Sequence, residues 1–158
     1  MSATIPVSNL EVHALLAGIG GSAIAPGAGA AGAVALGLAA ACASKAVSIS
    51  LRHHPEDPDL QSALAALQAV ARSALAEADR DSRAFEAFIH QKTRSAVERL
   101  VCEGEHFAQL IASLRSAVER VESKIQPNMA GDVIAAKALA AAAQQIQQRN
   151  ESETLTQR

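Results

Sequence analysis

The chain has 158 residues, a net charge of −2, 49% hydrophobic residues and only 2% aromatic residues, with neither Trp nor Tyr. This length implies one domain with a real core, and with so small a net charge nothing electrostatic points to nucleic acid. Alanine makes up roughly a quarter of the residues, a composition that suits closely approaching helices and argues against a β-sandwich of branched and aromatic runs.

Ser8-Asn9-Leu10-Glu11 fits a capping box, so a short helix is expected over 9–17, burying Leu10, Leu15 and Leu16. Gly18, Gly20, Gly21 and Ser22 then read as a loop. From Pro26 the chain runs Pro-Gly-Ala-Gly-Ala-Ala-Gly into an alanine-rich stretch, and no Asp, Glu, Lys or Arg occurs between Glu11 and Lys45. A helix over 26–51 is expected, with Pro26 in its first turn and small residues all round, the mark of a helix central to the fold. Its glycines would leave backbone N–H groups bare, either for an anion or polar ring or for close helix packing. Residues 14–43 are also long enough to span a bilayer. Pro26 and Gly20-Gly21 interrupt that run, Ala and Gly are weakly apolar, and no basic segment precedes it as in a signal peptide.

Arg52-His53-His54-Pro55-Glu56-Asp57-Pro58 is a connector in which Asp57 and Pro58 form an N-cap and N1 pair. A long helical pattern follows through Leu60, Leu64, Leu67, Val70 and Leu75 to Phe85, Phe88 and Ile89, with Glu77, Arg80 and Arg83 on the other side. A break is expected near His90–Thr93 or at Gly104. The pattern resumes through Val97, Phe107, Leu114 and Val121, and Pro127 stops it. A last helix over 131–148 presents Val133, Ile134, Ala138, Leu139 and Ile146 as its apolar side, and residues 150–158 are a polar, frayed tail. Cys42 and Cys102 lie in helical, apolar contexts and are expected to be reduced core thiols.

Three constellations bear on chemistry. Gly27 and Gly29 open the small-residue helix. Asp79-Arg80-Asp81-Ser82-Arg83-Ala84-Phe85 places carboxylates at an apolar boundary, where Asp79 could pair with Arg83 across a solvated face or an acid could handle protons. Asn128 and Asp132 open the last helix, as caps or as ligand-orienting groups. His53 and His54 point in different directions, and no metal-ligand spacing is present, so no metal is expected.

In order, these constellations resemble the cyclodeaminase/cyclohydrolase family. Its pattern is similar to Pro-Gly-Gly-Gly-Ser, then Asp-x-Asp-Ala-x-Ala-Phe, then Asn-Pro-Asn-Ala-x-Ser-Asp before an alanine-rich helix. Here the matches are Pro26-Gly27-Ala28-Gly29-Ala30, Asp79 to Phe85, and Gln126-Pro127-Asn128-Met129-Ala130-Gly131-Asp132. Ala28 and Ala30 replace a Gly and a Ser, and Leu51-Arg52-His53-His54-Pro55 stands in place of a Lys-rich stretch. The segment from Phe85 to Asn128 is short for the family, and a final helix after the alanine-rich one is missing.

The resemblance implies an all-α multihelical bundle with a central small-residue helix and long antiparallel helices. It implies a homodimer, with one domain over 1–150 and a tail over 151–158; the reduced thiols suit a cytoplasmic location. The implied substrate is a tetrahydrofolate derivative, with no tightly bound cofactor and neither nucleic acid nor membrane as partner. The implied activity is methenyltetrahydrofolate cyclohydrolase or formiminotetrahydrofolate cyclodeaminase, the former preferred because no formiminotransferase domain accompanies the chain. Asp81 would handle the proton, with Asp132 as its partner or a pterin anchor; Gly27, Gly29, Asn128, Asp79 and His53 would bind substrate. The alternative is a non-catalytic helical ligand-binding or assembly subunit derived from the family, and a membrane-associated helical protein is the weakest reading.

Overall fold

The computed structural model describes residue 9 and residues 11–156. Among the described residues there are five α-helices and no strand: α1 (Val12–Ile19), α2 (Ala28–His53), α3 (Pro58–Gln91), α4 (Arg94–Val121) and α5 (Ala130–Leu155). Two short 3-10 turns, Glu122–Lys124 and Pro127–Met129, join α4 to α5.

Helix α2 is the spine, packed mainly against α3 and α5, while α4 closes the bundle from the far side. Small side chains make this possible. Ala30, Ala33, Ala39, Ala40, Ala43 and Ala46 are all buried, and a side chain at Gly32 would press on Ile146 of α5. The helix is long and apolar enough to cross a membrane by length and composition alone, but its buried stripe is part of the bundle core.

Boundaries follow local chemistry. Gly27 is the N-cap of α2, so the helix begins two residues after Pro26 rather than at it. Asp57 caps α3 as expected, accepting from the Asp59 and Leu60 N–H groups at 2.9 and 3.1 Å, with Pro58 at the helix start. The break between α3 and α4 falls at Lys92, whose φ of 48° is left-handed, and Thr93, which caps α4. Gly104 lies inside α4, where it makes room for Gln147, whose Nε2 donates to the Gly104 carbonyl at 2.7 Å. At the other end of the bundle, Lys124 binds Asp57 and Asp59, and the Gln126 N–H donates to the Ser50 hydroxyl at 2.9 Å.

Several expectations are corrected. Ser8 and Leu10 lie outside the described residues; Glu11 is the N-cap of α1 without a side-chain cap bond, and Leu16 is exposed. Ile134 and Ala138 face outward, because Ala136, Ala140 and Ala143 carry the buried side of α5. Cys102 is exposed, while Cys42 packs on the core; both are free thiols. The expected frayed tail is helical through Leu155, seven residues beyond the predicted end of the last helix.

Candidate functional site

The N-terminal end of α2 opens onto a cavity of about 410 Å³. Gly27, Ala28 and Gly29 form one wall. Glu77, Asp81, Ser82, Phe85, Phe88 and Ile89 of α3 form a second, and the middle of α4 and the end of α5 complete it. Spacing explains the α3 wall: Glu77, Asp81, Phe85 and Ile89 recur every four residues and so share one helix face.

Asp81 is the centre of the arrangement. Its carboxylate lies where a Cβ on Gly29 would begin, and it accepts a hydrogen bond from the Ala30 N–H. The bare helix start is therefore occupied from within, by an acid supplied from the neighbouring helix, in the region where the helix dipole favours negative charge. Burial and the charges of Glu77 and Glu103 nevertheless outweigh this bond and raise the Asp81 carboxyl to about 6.

Behind Asp81 lies a charged network. Glu77, expected on the outer side of α3, is 2% exposed. Its Oε2 accepts from Arg80 Nη2 at 2.5 Å and faces His106 Nδ1 at 2.8 Å. The Arg80 Nε also meets Glu103 at 3.2 Å. Burying a carboxylate is costly unless it is paired, and Arg80 and His106 supply the partners here.

Among the expected site residues, the structure brings together Gly27, Gly29 and Asp81. Asp79 is half-buried but does not line the cavity. Asp132 is 3.3 Å from Lys45, roughly 24 Å along α2 from Gly29 at 1.5 Å per residue. Asn128 and His53 stand exposed at that same far end. Because α5 runs antiparallel to α2, its first turn meets the end of α2, so within one protomer Asp132 is not the partner of Asp81. Glu77 and Glu103, which sequence reasoning missed, act on Asp81 instead, and Gln147, missed as well, lines the same cavity. The four-residue spacing of Glu77 and Asp81 was the legible signal for the first of them.

Among the described residues no group of three or more His, Cys, Asp or Glu stands ready to hold a metal ion.

The fold is a helical bundle of the cyclodeaminase type. The chain superposes on the crystal structure of formiminotetrahydrofolate cyclodeaminase from Thermotoga maritima with a TM-score of 0.89, over 95% of this chain and 80% of that one, at 19% sequence identity. No model of a known protein family matches the chain, and no curated protein sequence matches it.

Proposed function

We propose that the chain is an enzyme acting on the one-carbon bridge of a tetrahydrofolate derivative, with Asp81 as the proton-handling group. The observation that carries this reading is the Asp81 carboxyl, raised to about 6 and seated against the backbone of Gly29, in an aromatic-lined cavity on a cyclodeaminase-type fold. A carboxyl in that range can both take and return a proton near neutral pH.

For the cyclohydrolase reaction, water adds to the methenyl carbon of 5,10-methenyltetrahydrofolate while Asp81 takes one of its protons. The bond from that carbon to N5 then breaks, and N5 receives a proton as the carbinol oxygen becomes the formyl oxygen. The products are 10-formyltetrahydrofolate and one proton released to solvent. Phe85 and Phe88, a tilted pair with ring centroids 6.5 Å apart, line the cavity and offer apolar surface to a flat ring. The second reading, formiminotetrahydrofolate cyclodeaminase, is favoured by the fold shared with the Thermotoga maritima enzyme of that activity.

The proposed assembly is a homodimer. Leu38 of α2 and Ile134 of α5 are 54% and 67% exposed, on two helices that already pack together. Asn128, Asp132 and His53 can reach the cavity only from a second protomer.

The test offers purified protein 5,10-methenyltetrahydrofolate and, separately, 5-formiminotetrahydrofolate. Absorbance of the methenyl species and release of ammonia report the two reactions. Conversion above the spontaneous rate that disappears in Asp81→Ala supports the proposal. No conversion of either substrate, with no folate binding, points instead to the non-catalytic subunit.

A further inference from the structure

The charge of the cavity is one-sided. Six carboxylates line it, from Glu77, Asp81, Glu103, Glu105, Glu151 and Glu153, and none of its lining residues is Lys, Arg or His. Arg80 is spent on Glu77 and Glu103 behind the wall, and Arg149 holds Glu153 at 2.6 Å. Among the described residues Asp81, Glu105 and Glu151 have no basic partner. A second, independent observation concerns the aromatics. The chain has three Phe and no other aromatic residue among Trp and Tyr, and all three, Phe85, Phe88 and Phe107, line this cavity. Aromatic faces carry negative potential and attract cations, and carboxylates add to that attraction in a partly desolvated site.

We propose that the cavity selects planar apolar monocations and excludes ligand carboxylates and phosphates. This deepens the folate reading and rests on it: the occupant is the cationic amidinium end of the carrier, and the carrier's anionic tail stays outside. A carboxylate entering the chamber would meet Asp81 already seated on the Ala30 N–H, with no guanidinium or ammonium free to receive it.

Three ligands of one skeleton test the proposal: N-methylacridinium, acridine and acridine-9-carboxylate, titrated at about pH 8, where acridine is neutral and Asp81 is ionised. The absence of Trp and Tyr leaves ligand fluorescence free of protein background. The expected order is cation, then neutral ring, then anion, with the cation at least about tenfold tighter than acridine and weakened by salt. Glu105→Gln together with Asp81→Asn should lower cation affinity about tenfold and leave acridine unchanged. Equal binding of cation and neutral ring, tighter binding of the anion, or binding of none of the three overturns the proposal, and the wild-type comparison alone decides this if the variant misfolds. Folate turnover without charge preference removes this inference only, whereas charge preference without turnover removes the enzymatic reading only.

Discussion

The carboxylate of Asp81 occupies the position where a side chain on Gly29 would start. One residue of α3 and one of α2 are thereby fitted to each other, and a substitution at either should be felt at both.

Gly29→Ala should expel the Asp81 carboxylate from its seat and break its bond with the Ala30 N–H. The lost bond costs about 0.5–1.5 kcal/mol, partly offset by the better helix propensity of Ala. Turnover should therefore fall far more than stability. Parallel denaturation and single-turnover measurements check this; a variant with unchanged turnover would separate Gly29 from the site.

Stability should depend on pH through Asp81. The folded carboxyl keeps its proton up to about 6, whereas the unfolded chain loses it near 3.8. Between those values the folded state binds more protons, so the unfolding free energy contribution of Asp81 declines as pH rises from about 4 to 6 and stays low above. Asp81→Asn should remove that decline and be more stable than the parent at neutral pH by about 1–3 kcal/mol. Urea titrations of both proteins at acid and neutral pH read the difference.

If Asp81 acts as the base, kcat/KM for methenyl hydrolysis should rise through an apparent pKa of about 6 and level off above it. Glu77→Gln removes one of the charges that holds the Asp81 carboxyl up, so the midpoint should move to lower pH. A pH–rate profile with the same midpoint in both proteins would assign it to another group.

The glycines of α2 should not behave alike. A Cβ at Gly37 would meet Ala74 and Leu75 at 3.8 and 4.0 Å, ordinary contact, whereas one at Gly32 would meet Ile146 at 3.1 Å. Gly37→Ala should stabilise the protein by about 0.5–1 kcal/mol. Gly32→Leu should destabilise it by several kcal/mol, beyond the ~1–3 typical of milder overpacking. Thermal melts of the two variants give the comparison.

Asp132→Ala distinguishes the two places where that acid could act. A loss of turnover with an unchanged melting temperature would place it at the chemistry from a second protomer. Unchanged turnover would confine it to its pairing with Lys45.

Helix positions were legible in the sequence wherever a residue has a strong local preference. Asp57 and Pro58 fixed the start of α3, and the alanine-rich stretches marked α2 and α5. Glycine was the ambiguous letter. Gly104 resembled a break and is a packing site for Gln147, a contact across 43 residues of chain that no local pattern carries. The site was half legible. Asp81 and Gly29 followed from motifs, but Asn128 and Asp132 were assigned to the same hollow because motif order says nothing about which ends of antiparallel helices meet. Glu77 was assigned to the outer side because a charged residue ordinarily faces water; Arg80 and His106 reverse that preference by pairing with it.

The last turns of α5 have a role apart from the core. Its deeply packed alanines end at Ala143, yet Asn150, Glu151, Glu153 and Thr154 border the chamber. Proteolytic clipping after Arg149 should therefore spare the alanine-packed scaffold while removing one wall of the chamber, so that folding survives the cut and the shape of the hollow does not.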